Sequence, residues 1–197
     1  MGKGRLEAFS DAVIAIIITI MVLEMKVQHG DSLETLKPLL PVFMSYILSF
    51  IYIGIYWNNH HHLMHVTHKI NGKIMWANSH LLFWLSLMPF ASGWMGENHF
   101  ATIPTALFGV ILLMAGVAYY ILAQCLIQLH GKDSTLGRAV GNDGKGIISV
   151  VIYAIAIGLA FVNTWISLAL YAAVAIIWLV PDRRIELKVM EEEKLAD

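Results

Sequence analysis

Arg5-Leu6-Glu7-Ala8-Phe9-Ser10-Asp11 runs without interruption into the apolar stretch Ala12–Leu23, AVIAIIITIMVL, and this junction decides the class of fold. Thr19 is the one clear polar group between Asp11 and Glu24. The segment reads as the opening of a membrane helix. Charged and polar groups at a bilayer boundary are costly unless paired, so Arg5, Ser10 and Asp11 mark a functional site by default.

The rest of the chain agrees with an integral membrane protein of the all-α class. It is 58% hydrophobic and 14% charged, with a mean hydropathy of +0.67, far from a soluble domain. A net charge of −1 supplies no field to recruit nucleic acid or an acidic substrate. Cys125 is the single cysteine and lies in an apolar run, so it reads as a buried, inert thiol. Lys3 and Arg5 ahead of a short apolar core imitate a secretory signal. Glu24-Met25-Lys26 is the wrong chemistry for a cleavage site, however, and a mature first membrane helix is expected. No Gly/Ser- or Pro-rich linker divides the chain, so residues 1–197 are read as one domain.

Six apolar segments are predicted to span the bilayer, at roughly 8–28, 38–64, 74–95, 103–128, 146–162 and 164–181. The last two divide one nearly unbroken apolar run. As a single helix that run would be about 50 Å long, too long for a hydrocarbon core of about 30 Å. Asn163-Thr164 at its centre marks a tight hairpin. Six spans with both termini cytoplasmic place Lys3, Arg5, Lys69, Lys73, Lys132, Arg138, Lys145, Arg183, Arg184, Lys188 and Lys194 inside, against Lys26 and Lys37 outside. That is the positive-inside pattern, whereas five spans would put the basic tail outside. Pro38, Pro41 and Pro104 fall at predicted span starts, and Pro89 is expected to kink the third span near its outer end.

On a helical wheel, Phe9, Ala12, Ile20, Leu23 and Val27 fall within about 40° of Ile16, and Thr19 about 60° to one side. Ser10 and Asp11 point to the other half of the wheel. Ala8, Ala12 and Ala15 permit close approach of neighbouring helices. The Ile16–Thr19/Ile20–Leu23 stripe fits ordinary packing. It equally fits a pore wall in which apolar rings at Ile16 and Leu23 flank a ring of Thr19 hydroxyls and gate by dewetting. The chain has no TVGYG-like filter.

The second span ends Trp57-Asn58-Asn59-His60-His61-His62-Leu63-Met64-His65, with His68 beyond. On a continuing helix His61, His65 and His68 would share a face, a spacing that can hold zinc or copper. No cysteine or carboxylate stands nearby, and no resident metal or cofactor is expected. Arg5, Ser10 and Asp11 lie near the depth of Trp57, His60 and His61, and the third span begins at that depth with Trp76, Asn78 and His80. A structural polar network of Arg5, Ser10, Asp11, Trp57, His60, His61 and Asn78 would join three helices and fix the tilt and rotation of the first. No nucleophile–base pair or phosphate loop points to an enzyme.

Arg5-x-x-x-Phe9-Ser10-Asp11 before an Ile-rich helix, Trp57-x-x-His60-His61, Trp76-x-Asn78 and Pro89-Phe90 together resemble the potassium channel family of transmembrane protein 175, known from endosomes, lysosomes and bacteria. The likeness covers the whole six-span unit, of which animal members carry two and this chain one. It implies a homotetramer in the lipid bilayer, here a bacterial inner membrane, with the first helix lining a central pore. It also implies a hydrophobic constriction at Ile16, a hydroxyl position at Thr19, an outer apolar ring at Leu23 and permeant potassium favoured over sodium. His62, His65 and His68 are not part of the family signature. A proton-coupled or metal-ion transporter using the His60–His68 cluster is the rival expectation.

Overall fold

The computed structural model describes residues 2–27, 29–131, 134, 137 and 144–179. The described residues form helices and no strands. They are α1 (Lys3–Leu23), a 3-10 helix (Leu33–Leu39), α2 (Leu40–His65), α3 (Gly72–Ser86), α4 (Met88–Glu97), α5 (Thr102–His130), α6 (Gly144–Leu159) and α7 (Thr164–Leu179). Lys132, Arg138, Arg183, Arg184, Lys188 and Lys194, which carry much of the expected charge asymmetry, lie outside the described residues, as does the end of the last predicted span.

α1 begins at Lys3 rather than near residue 8, so the polar signature occupies its first turns. It ends at Leu23, where the last turn tightens through Met25 N–H to the Val22 carbonyl at 3.2 Å. Met25 and Val27 extend the apolar count past the helix, and hydropathy alone does not register that Glu24 and Lys26 interrupt it. Pro38 sits in the 3-10 helix instead of opening α2, and Pro41 occupies the first turn of α2.

The third apolar segment is two helices. Pro89 has no N–H for the Leu85 carbonyl, and its ring crowds that position. The chain therefore turns at Leu87, whose N–H bonds to the Trp84 carbonyl at 3.3 Å, and α4 starts with Pro89 in its first turn. α6 and α7 are separated by a turn over residues 160–163. There Asn163 N–H reaches the Leu159 carbonyl at 2.8 Å, and the Asn163 side chain accepts from Trp165 N–H at 2.9 Å.

α5 is the central post, packed against α3, α4, α6 and α7, while α1 lies at the edge against α2, α3 and α4. α1, the continuous 33–65 segment and α5 are long and apolar enough to cross a membrane, and α6 and α7 are shorter apolar helices. One apolar core runs through the bundle, including Ile53, Leu63, Leu85, Met95, Phe108, Leu112 and Leu126. The tyrosines within it are satisfied by helix carbonyls and by each other: Tyr52 donates to the Tyr171 carbonyl (2.6 Å), Tyr153 to Tyr52 Oη (3.3 Å) and Tyr171 to the Thr105 carbonyl (3.3 Å). An apolar interior requires such pairing. At the end of the bundle where α1 finishes, Lys26 meets Glu97 at 3.2 Å. Both are exposed, so this pair contributes about 0–1 kcal/mol.

Close backbone approach fixes α4 on α2. A Cβ on Gly96 would fall 2.6 Å from Val42 Cα, whereas one on Gly93 would meet nothing within 4 Å. Gly96→Ala should therefore cost about 1–3 kcal/mol and lower the melting temperature of the detergent-solubilised protein, with Gly93→Ala as the neutral control. Equal melting of the two variants would contradict this packing.

Candidate pore-lining face and its polar bracket

α1 has two faces of opposite fate. Leu6, Ser10, Ile14, Ile17 and Met21 are buried against α2, α3 and α4. Phe9, Ile16, Ile20 and Leu23 are exposed, Ile16 at 58% and Leu23 at 73%, whereas Ile14 and Ile17 are each 3% exposed. Thr19 lies in the exposed stripe, and its hydroxyl donates to the Ala15 carbonyl at 2.9 Å. With its proton committed to the backbone, that oxygen turns lone pairs outward. Beside the stripe, the α3–α4 break leaves a hollow of about 410 Å³ lined by Ile16, Ile20, Glu24, Ser86, Pro89 and Phe90, among others.

The buried side of α1 is held by a chain of hydrogen bonds whose direction chemistry dictates. The Leu6 carbonyl can only accept, so the Ser10 hydroxyl donates to it at 2.9 Å. Ser10 Oγ then accepts from Asn78 Nδ2 at 2.9 Å. Asn78 Oδ1, at 2.7 Å from His60 Nε2, accepts in turn, so His60 carries its proton on Nε2. Ser10, Asn78 and His60 are all buried and come from α1, α3 and α2. On the rim of the same helix, Trp57 Nε1 donates to Asp11 Oδ1 at 3.1 Å in an exposed bond.

The polar residues expected to form one network are thus in two pieces, Ser10–Asn78–His60 and Asp11–Trp57. Arg5 is exposed and has no side-chain partner among the described residues. His61 joins neither chain; its ring stacks on Trp57 at 6.2 Å. Ser10 and Asp11 diverge because adjacent helical positions point about 100° apart. Trp76 is exposed, and His80 accepts from Trp84 Nε1 at 2.9 Å.

α2 stops at His65, so His68 does not continue the His61–His65 face. It lies in the α2–α3 connector, with its ring 6.4 Å from that of His130. Among the described residues no group of three or more His, Cys, Asp or Glu side chains is placed to hold a metal. His130 escaped the sequence reading. It bonds the Leu126 carbonyl through Nδ1 at 2.9 Å and accepts the His68 and Lys69 amides on Nε2, both at 3.2 Å. A histidine followed by Gly131 at the end of an apolar run was its only signal.

An all-helical bundle of apolar helices, one of which turns an apolar stripe outward, defines a membrane protein. The model of the family described as the endosomal/lysosomal potassium channel TMEM175 matches residues 5–89. A protein of Chryseobacterium sp. (strain P1-3), named a potassium channel, is 53% identical over 97% of this chain and 100% of its own length. The Danio rerio endosomal/lysosomal proton channel TMEM175 is 30% identical over 64% of this chain and 24% of its own. The crystal structure of a lysosomal potassium-selective channel TMEM175 homologue from Chamaesiphon minutus matches with a TM-score of 0.77 at 25% identity, covering 91% of this chain and 97% of that one. The chain belongs to the TMEM175 family, with its bacterial members; it is a family of ion channels, not enzymes.

Asn78→Ala removes the centre of the buried chain, taking the donor from Ser10 Oγ and the acceptor from His60 Nε2. It should cost about 2–4 kcal/mol, against about 0.5–1.5 kcal/mol for Trp57→Phe at the exposed rim. Thermal melts of the two variants check the order; a Trp57→Phe loss equal to that of Asn78→Ala would contradict it.

Proposed function

We propose that four copies of this chain form a potassium channel in a bacterial inner membrane, with the exposed face of α1 lining a central pore. The observation that carries the reading is the outward apolar stripe Phe9–Ile16–Ile20–Leu23 on a helix whose other face is buried and hydrogen-bonded. An adjoining copy would cover part of that stripe, using the hollow at the α3–α4 break, and leave the remainder to the pore. The names of the Chryseobacterium and Chamaesiphon relatives support potassium as the permeant ion.

In this arrangement the bilayer is crossed six times, by α1, α2, α3 with α4, α5, α6 and α7, and both termini are cytoplasmic. Ile16 and Leu23 form stacked apolar rings, and water between them is unstable, so the pore closes by dewetting. Thr19 oxygens between the rings offer transient ligands to an ion that has shed part of its hydration shell. Potassium sheds that shell at lower cost than sodium, which favours its passage.

The rival transporter reading loses ground on geometry. His60 is committed to Asn78, while His61 lies ring to ring with His62 and His65, and among the described residues no group of three or more His, Cys, Asp or Glu side chains is placed to hold a metal. The zebrafish relative named a proton channel makes proton permeation the outcome to measure alongside potassium.

Reversal potentials in planar bilayers, under potassium/sodium and pH gradients, test the reading. Wild type should favour potassium. Ile16→Asn should raise flux about tenfold, as a barrier lowered by about 1.4 kcal/mol would, and bring the potassium/sodium ratio toward one. Unchanged flux in Ile16→Asn, with loss of transport on replacing His61, His65 and His68 by alanine, would favour the transporter instead.

A further inference from the structure

We propose that His130 is a pH-responsive positioning residue: its neutral imidazole latches the α2–α3 connector to the end of α5, and proton uptake releases it. The tautomer follows from the partners. The Leu126 carbonyl, 2.9 Å from Nδ1, can only accept, so Nδ1 carries the proton. Nε2 is then a bare lone pair, and it receives two backbone donors, His68 N–H and Lys69 N–H, each at 3.2 Å. Among the described residues those two amides have no other acceptor. A proton taken from solvent onto Nε2 turns the acceptor into a third donor facing two N–H groups. The ring must then leave, and both amides lose their partner.

The connector matters because of what it joins. α2 presents Trp57 to α1 and His60 to Asn78, and α3 presents Asn78 to α1, so both arms of the α1 bracket end in this short segment. Its other end is tied separately: Asn71 Oδ1 accepts Ile74 N–H at 3.0 Å and caps α3. Thr67 is turned inward onto the Leu63 carbonyl, and Lys3 Nζ at the start of α1 reaches the His65 carbonyl at 3.4 Å. The latch is therefore the bond from this connector to the central post α5.

Among the described residues, the His68 ring lies 6.4 Å from that of His130, Lys69 follows it on the connector, and Lys73 on α3 bonds Gln128 Oε1 at 3.4 Å. His68 is the neighbouring imidazole. Its contribution to the latch is its backbone N–H, so its side chain can be replaced without touching the bond.

Hydrogen exchange of the His68 and Lys69 amides, corrected for intrinsic rates, reads the latch in the full-length protein. In the wild type, protection should fall about fivefold between about pH 8 and about pH 5.5, the range in which imidazoles titrate. The ¹⁵N shifts of His130 should report the Nδ1–H tautomer at the upper end. His130→Gln keeps an acceptor that does not titrate and should be protected at both pH values, His130→Ala should be unprotected at both, and His68→Gln should behave as wild type. Protection that is independent of pH in the wild type, or a pH response lost in His68→Gln, would overturn the proposal. The further consequence, that potassium flux falls as the connector side is acidified and does not fall in His130→Gln, rests on the channel reading. Absence of flux at every pH would refute that reading, while amides that respond without any change in an existing flux would refute the link from latch to pore.

Discussion

A serine, an asparagine and a histidine, buried where water cannot replace a lost partner, hold the first helix at one rotation. The chain from His60 through Asn78 and Ser10 to the Leu6 carbonyl has one donor–acceptor order. Rotating α1 by a single residue, about 100°, would take Ser10 away from Asn78 and leave the Asn78 amide N–H without its acceptor in an apolar interior. The cost of that loss, more than any attraction along the apolar stripe, selects the observed orientation. Leucine and isoleucine side chains pack on lipid nearly as well as on protein, so apolar contact alone would leave the rotation of a membrane helix loosely specified.

Everything proposed for the pore inherits from that constraint. Because Ser10 points inward, Ile16 and Leu23 point outward, and Thr19 carries its hydroxyl on the same outer face with its proton already given to Ala15. The residues that make the signature recognisable are therefore separate from those proposed to meet the ion. The Asp11–Trp57 bond at the rim adds a second, weaker tie between α1 and α2.

The helices were legible in the sequence wherever polarity changed sharply. The hairpin at Asn163 and the interruption caused by Pro89 follow from a capping amide and a missing N–H, both local properties that a sequence displays. The ends of α1 differ from the predicted span because apolar Met25 and Val27 outlast the helix, while Lys3, Arg5 and Glu7 are charged yet helical. Within the site, Ser10, Asn78 and His60 could be placed at one depth from helix direction alone. Which of seven polar residues would actually bond could not, since that depends on side-chain reach and on the angle between adjacent positions, and so Arg5 and His61 fall outside the chains. The partners of His130 are legible only in the structure for a related reason: they are backbone groups of the connector and of Leu126, and backbone groups carry no sequence signature.

The most direct test of the central claim is a cysteine scan of α1 from Phe9 to Leu23, in a Cys125→Ala background, probed with a water-soluble thiol reagent while potassium current is recorded. Modification and block at Ile16, Thr19 and Leu23, with protection at Ile14, Ile17 and Met21, is the pattern required by a pore-lining face aimed by the Ser10–Asn78–His60 chain. Reaction at Ile14, Ile17 and Met21, with Ile16 and Leu23 silent, would contradict it.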